Sequence, residues 1–183
     1  MISKEGILMI TITNSLSKRQ KDEIWEILKT ADNEFVPPLS SRYDTVQRDF
    51  ADFGSTMIPE PTKYFEALLG QSFLLYMENG HIKGFISFID GYSSDLTECP
   101  VCIYISTIIV IPSERQKGIT QKMYSHLFNA RKNIPVLTRT WSENRSHIHI
   151  LQKLGFNLLK RIPNDRGEGI DTVYFMRGVK DNE

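Results

Sequence analysis

Apolar and polar residues alternate over residues 7–13, the period-two pattern of a strand. The period then lengthens to that of a helix carrying Ile24, Ile27 and Leu28, and Ser17 with Gln20 supplies a capping box ahead of it. Residues 33–59 are less regular. Pro37-Pro38 breaks the chain, and Asp44 with Gln47 is placed to cap a short helix ending at Gly54. Pro61 at a first helical position and Gly70 just past a last one bracket a helix over 62–69. Two strand-like runs, 73–77 and 82–89, flank Glu78-Asn79-Gly80-His81, and Asn-Gly tolerates the positive φ angles of a tight hairpin. After a polar loop, residues 101–111 are so rich in β-branched side chains that they predict a central strand buried on both faces, stopped by Pro112. A helix follows over 119–131, with Ile119, Met123, Leu127 and Phe128 at helical spacing. The remainder reads as a strand (135–141), a helix (145–154) stopped by Gly155, and two further strands (156–161 and 172–177). The expected fold is α/β in the α+β sense, a mixed sheet covered by helices and sharing one core over residues 1–183.

Composition narrows the function classes. The chain has 183 residues, 40% of them hydrophobic, which suits a single domain able to bury its own core without disulfides or structural metal. Its 22 Lys+Arg balance 22 Asp+Glu, so no broad basic field is available for nucleic acid or an anionic membrane. The longest near-apolar run falls well short of a membrane span, and the N-terminus lacks the pattern of a secretory signal, so a cytoplasmic location is expected. Cys99 and Cys102 are spaced like a redox pair or half a zinc site. They open a β-branched run rather than a helix, however, and His81, His126, His147 and His149 offer no second ligand pair, so no metal is expected.

The informative stretch is the central strand, then Pro112-Ser113-Glu114-Arg115-Gln116-Lys117-Gly118-Ile119-Thr120, then an amphipathic helix. A strand that enters a helix through a short glycine turn leaves several backbone N–H groups unpaired at the positive end of the helix dipole. Such a turn suits an anion, and Gly118 removes the side chain that would hold a phosphate away. Arg115 and Lys117 add positive charge, although a generic capped helix gives much the same pattern. The spacing is neither that of the nucleotide-triphosphate loop nor that of the three-glycine dinucleotide turn.

Arg115-Gln116-Lys117-Gly118-Ile119-Thr120 resembles the acyl-CoA signature of the GNAT N-acetyltransferase superfamily: Arg or Gln, two residues, Gly, one residue, then Gly or Ala. The family's apolar lead-in also matches, as Ile108-Ile109-Val110-Ile111-Pro112. A second signature lies downstream, where Asn144 is followed nine residues later by Lys153-Leu154-Gly155-Phe156. The resemblance implies a mostly antiparallel sheet of six to seven strands, four to five flanking helices and a splayed gap between the fourth and fifth strands. It implies acetyl-CoA, or another acyl-CoA, as co-substrate in that gap. By the same analogy the backbones of Ile108 and Val110 would pair with the pantetheine arm, N–H groups of Gln116, Lys117, Gly118, Ile119 and Thr120 would hold the pyrophosphate, and Asn144 would contact the pantetheine or support the gap. Many relatives self-associate, which leaves a homodimer open with no interface fixed by the sequence.

The implied chemistry is direct attack by a primary amine of a small molecule or peptide on the thioester, in a ternary complex. Here the chain departs from the pattern. The tyrosine that many members place seven residues after the Asn is Leu151, and the carboxylate that some place eleven residues before the Arg is Tyr104. His147, one helical turn before Leu151, and Tyr104, expected to share a strand face with Ser106, are the substitutes on offer. Each has a bland alternative, His147 as an ordinary helix histidine and Tyr104 as packed core. A catalytically silent acyl-CoA-binding domain is therefore the alternative to a transferase. Acceptor specificity is expected in residues 34–53, with Arg42, Tyr43, Asp44, Arg48, Phe50 and Phe53, and in residues 163–171, where Asp165, Glu168 and Asp171 are placed to attract a cation.

Overall fold

A computed structural model describes residues 6–47, 50, 60–96 and 101–179. Seven strands form one sheet: β1 (Leu8–Thr13), β2 (Ser72–Glu78), β3 (His81–Tyr92), β4 (Cys102–Val110), β5 (Val136–Trp141), β6 (Asn157–Ile162) and β7 (Thr172–Arg177), in the order β1-β2-β3-β4-β5-β7-β6. Every neighbouring pair is antiparallel except β4 and β5, which run parallel. The helices are α1 (Lys18–Ala31), α2 (Thr62–Leu68), α3 (Ile119–Ala130) and α4 (Arg145–Lys153). None of the described helices is long and apolar enough to cross a membrane.

Local chemistry sets these elements where the sequence suggests. Ser17 caps α1 by accepting from the Gln20 N–H, and the Gln20 side chain accepts in return from the Ser17 N–H at 2.9 Å. Asn79 and Gly80 both have positive φ, 52° and 78°, and close the β2–β3 hairpin. Residues 44–47 are not helical. The Asp44 carboxylate accepts from the Val46 N–H at 3.2 Å and the Gln47 side chain accepts from the Tyr43 N–H at 3.3 Å, so both side chains satisfy a turn instead. The rest of the helix expected to end at Gly54 lies largely outside the described residues, as does Cys99. Cys102 is buried on β4, and its thiol donates to the Tyr92 carbonyl.

The strict alternation of β2 divides the core. Leu74 and Tyr76 face a cluster with Ile86, Met123, Leu127 and Leu151 beneath α3 and α4. Phe73, Leu75 and Met77 face a second cluster with Ile24, Leu28, Tyr64 and Leu68 beneath α1 and α2. Each such side chain, fully removed from water, contributes roughly 1.5–3 kcal/mol.

One irregularity positions everything that follows. Thr107 opposes Ser87 and Ile105 opposes Phe88, so Ser106 is an extra residue with no partner on β3. A bulge of this kind bends its strand and reverses which face each later side chain takes. Accordingly Ile103 and Ile105 lie in the α3/α4 cluster, and beyond the bulge it is Val110 that lies there while Ile109 faces α1 and α2. Pairing of β4 with β5 covers Ile103 to Ile105 and stops, so beyond the bulge the two parallel strands diverge.

Gly84 keeps β3 close to the end of β4. A Cβ there would meet the Ile109 carbonyl oxygen at 3.0 Å and Val110 Cγ2 at 3.2 Å. Gly84→Val is expected to lower stability by about 1–3 kcal/mol through this overpacking. Urea denaturation checks it, and an unchanged midpoint would show that the pair has room to move.

Candidate active site

The divergence of β4 and β5 opens a cavity of about 610 Å³. Its walls include the end of β4 (Ile105 to Val110), the turn and first residues of α3 (Glu114 to Gln121 apart from Lys117), β5 (Thr138 to Trp141), the start of α4, Glu34 and Phe35 after α1, and two loops contributing Arg42 and Arg166.

At one end stands the glycine turn. Gln116 and Gly118 both adopt left-handed backbone conformations, with φ of 64° and 72°. Gly118 is the residue before α3 and provides no side-chain cap. The first helical hydrogen bond runs from the Lys122 N–H to the Gly118 carbonyl, and the six N–H groups from Gln116 to Gln121 have no acceptor among the described residues. Six amides free together at a helix start form a concave donor set for an anion. Of the two cations beside it, Arg115 lines the cavity, donating from Nε to the Val110 carbonyl at 3.0 Å and pairing with Glu34 at 2.7 Å. Lys117 does not line it, and its ammonium pairs instead with Glu114 at 2.7 Å.

The edge of β4 supplies the middle. Ile111 donates to the Lys83 carbonyl at 3.0 Å, which fixes the alternation of the β3–β4 ladder. Ile109 then faces β3, and Ile108 and Val110 turn their N–H and C=O groups toward the gap left by β5. Across the gap Asn144 caps α4 by accepting from the His147 N–H at 3.3 Å, while its side-chain amide donates to the Thr140 hydroxyl at 3.1 Å. Asn144 therefore holds α4 to β5 and also lines the cavity.

The two residues offered for proton transfer part company. Tyr104 is packed with Cys102, Leu137 and Tyr174, stacks on Tyr92 at 4.8 Å, and is not among the residues lining the cavity. Burial raises its phenol to about 12. Tyr104 and Ser106 lie on the same side of β4, opposite Ile105 in the α3/α4 cluster, with the Ser106 hydroxyl reaching Ser87 and Gln71, and the alternation is broken only beyond Ser106. Ser106 does line the cavity, within a polar chain that ties the strand to the loop before α2. Its hydroxyl meets that of Ser87 at 2.8 Å and the Gln71 side-chain carbonyl at 2.6 Å, and the Gln71 amide donates to the Thr45 hydroxyl at 2.6 Å. His147 is partly buried in the cavity wall, with Nε2 at 3.0 Å from the Tyr124 hydroxyl. Desolvation lowers its pKa to about 4, so the imidazole is neutral at neutral pH.

The far end holds three arginines. Arg42 was visible in the sequence, whereas Arg139 on β5 and Arg166 before β7 were not singled out. The acidic cluster expected to attract a cation is differently employed. Asp171 pairs with Arg161 at 3.1 Å, Asp165 accepts from the Thr172 hydroxyl, and the member of that loop lining the cavity is Arg166. The two glutamates in the lining, Glu34 and Glu114, are both engaged with cations.

The His147 shift has a consequence for stability. A folded pKa of about 4 below an unfolded value near 6.5 means that the unfolded chain binds the extra proton between those limits. Stability is therefore complete above pH 6.5 and falls as the pH drops toward 4, by at most about 1.4 kcal/mol per pH unit for one proton. His147→Gln is expected to flatten that fall in denaturation measured from pH 7 to 4, and parallel slopes would mean that His147 titrates normally.

Comparison with known proteins agrees with the geometry. The sequence matches the acetyltransferase (GNAT) family over residues 25–156, more than half the chain. No curated protein matches it significantly. Among solved structures, yncA of Salmonella typhimurium, determined with its cofactor acetyl-CoA, is 21% identical, with a TM-score of 0.63 over 94% of this chain and 95% of that one. An N-acetyltransferase of Staphylococcus aureus Mu50 is 19% identical, with a TM-score of 0.62 over 95% and 99%. An aminoglycoside 6'-N-acetyltransferase complexed with coenzyme A is 14% identical, with a TM-score of 0.65 over 96% and 99%. A seven-stranded mixed sheet parted between β4 and β5, a glycine turn opening α3 and a match across most of the sequence agree, and the chain belongs to the acetyltransferase (GNAT) family.

Proposed function

We propose that this chain transfers the acetyl group of acetyl-CoA to a primary amine by direct attack in a ternary complex. The observation that carries the reading is the cavity itself, whose walls join six unpaired amides, an open strand edge and the side chains of Arg42, Arg139 and Arg166.

Acetyl-CoA supplies a thioester whose carbonyl carbon accepts the amine as its thiolate leaves. The N–H groups of Gln116 to Gln121 hold the pyrophosphate, and Arg115, already turned toward the turn by its bond to the Val110 carbonyl, adds charge beside it. Ile108 and Val110 present strand-like donors and acceptors to the amides of the pantetheine arm, as an added strand would use them. Asn144 fixes the opposite wall. Thr138, whose hydroxyl donates to the Ile105 carbonyl at 3.1 Å, marks the closed bottom of the gap, where the thioester comes to rest.

Proton movement follows from the groups present. Both lining carboxylates are ion-paired, so the amine enters uncharged or gives its proton to water. His147 stands near the leaving group. With the Tyr124 hydroxyl donating to Nε2, the imidazole proton sits on Nδ1 and donates a hydrogen bond to the departing thiolate, whose own proton comes from the attacking nitrogen as the C–N bond forms and the C–S bond breaks. Burial keeps the Tyr124 phenol well above its ordinary pKa, so it remains a neutral donor behind the imidazole.

Two measurements test this. Acetyl-CoA at about a hundred times its dissociation constant should stabilise the protein by about 2.7 kcal/mol, several degrees in melting temperature. Gly118→Glu should abolish the shift, since the carboxylate blocks and repels the pyrophosphate, and an undiminished shift would place the phosphates elsewhere. Thiol release with a panel of primary amines then separates a transferase from a silent binding domain, which would bind and release nothing. His147→Ala should lower kcat at least tenfold with little change in the acetyl-CoA stabilisation, and a smaller loss removes His147 from the chemistry.

A further inference from the structure

We propose that the acceptor is an amine that also carries an oxyanion, a carboxylate or a phosphonate, and that Arg42, Arg139 and Arg166 grip that group. The proposal rests on the transferase reading and names its substrate class.

The three guanidiniums converge on one ring. They lie 5.3, 4.9 and 4.6 Å from the centroid of Phe50, and all three side chains line the cavity. Arg42 and Arg166 are 6% and 7% exposed, yet among the described residues none of the three forms an ion pair with a carboxylate. Their partners are neutral. Arg42 donates from Nε and Nη2 to the Pro37 and Val36 carbonyls, Arg139 from its two Nη to Tyr174 and the Thr45 carbonyl, and Arg166 from Nε and Nη1 to Thr172 and the Val36 carbonyl.

Each guanidinium thereby keeps one nitrogen without a partner among the described residues: Nη1 of Arg42, Nε of Arg139 and Nη2 of Arg166. No fully buried side-chain nitrogen or oxygen lacks a partner among the described residues, so these three nitrogens are reachable by solvent from the cavity. Buried cations are ordinarily matched by carboxylates because the uncompensated charge is costly, and stacking on Phe50 offsets only part of that cost. Burial first, and then repulsion from the neighbouring arginines, lowers Arg42 to about 10 and Arg166 to about 9, so both remain charged at neutral pH. What the described residues leave out, a planar or tetrahedral oxyanion would supply, and guanidinium forks are suited to either.

The arginine cluster is distinct from the diphosphate end, which has its own amides and its own cation, Arg115, held by Glu34 and the Val110 carbonyl. An oxyanion held against the arginines leaves the amine of a short molecule free to face Ser106 at the bulge.

The test uses the full chain and matched acceptors. Each of the common L-amino acids is paired with its carboxamide, and 2-aminoethylphosphonate with butylamine, with spermidine as a cationic control; thiol release from acetyl-CoA is measured. At least one anionic amine should exceed its neutral partner at least a hundredfold in kcat/KM, because unpaired donors reject an analogue lacking the acceptor. Arg166→Gln should erase most of that ratio, and Arg139→Gln, at a less buried position, should do the same if the first variant does not fold. Neutral amines or spermidine acetylated as efficiently as every anionic amine would overturn the proposal while leaving the transferase intact. If no amine is turned over, stabilisation of the protein by succinate or methylphosphonate decides. A shift lost in Arg139→Gln supports the arginine site, and no shift overturns it. Failure of acetyl-CoA itself to stabilise the chain would strike the transferase reading, with the anion titration still deciding the arginine site.

Discussion

One surplus residue on β4 governs the site. Until Ser106 the strand is held on both sides, by β3 and by β5; after it, only β3 remains. Bulges increase local twist and bend a strand, and a parallel neighbour with no bulge of its own cannot follow. The backbone groups of Ile108 and Val110 are thereby left facing a gap inside the sheet rather than at its edge. An unpaired edge is ordinarily a liability in a β protein. Enclosed between two strands of the same sheet, it is protected from other chains while open to a slender ligand.

The polar network around Ser106 shows how that distortion is held. An extra residue leaves backbone groups that a regular ladder would have paired, and here side chains reach them: the Tyr64 hydroxyl donates to the Ser106 carbonyl at 3.5 Å and the Ser106 hydroxyl to the Ser87 carbonyl at 3.4 Å, while Ser87 and Gln71 bond the Ser106 hydroxyl. Gln71 then reaches Thr45, so the same chain fixes the loop that carries Arg42. The bulge and the loop carrying Arg42 are in this way one connected structure. Networks of this kind rigidify a site only when every member is satisfied, and no buried side-chain nitrogen or oxygen among the described residues is left without a partner.

The sequence was legible where local chemistry decides. The capping box at Ser17, the Asn79-Gly80 hairpin, the β-branched run of β4 and the glycine turn at Gly118 are short-range features, and each stands in the structure as the pattern implied. What it concealed depends on registry between distant segments. Nothing in Tyr104-Ile105-Ser106-Thr107 announces that one residue will be skipped, so the faces taken beyond it, Ile109 toward α1 and α2 and Val110 toward α3 and α4, are fixed only by the pairing with β3. Asp165 and Asp171 looked like a cation trap because their partners, Thr172 and Arg161, are fixed only by the pairing of β6 with β7. Arg139 did leave a trace. A cation between Thr138 and Thr140 within a strand is a costly placement, and it signals that the strand face there does not meet an apolar core.

The replacement of the family's helix tyrosine is also explained by packing. Leu151 is fully buried in the α3/α4 cluster, so at this position α4 gives its inner face to the core and has no hydroxyl to offer the gap. An aromatic side chain comes from α3 instead, where Tyr124 packs against Phe128 and Phe156 with its hydroxyl 3.0 Å from His147 Nε2. The chemical result is different. A phenol carried directly on α4 would act alone, whereas a phenol on α3 reaches the cavity only through the imidazole. In the proposed mechanism, therefore, the hydrogen bond to the departing thiolate depends on how α3 and α4 sit against each other, and that arrangement is set by the same cluster that seats Ile119 at the start of the anion-binding turn.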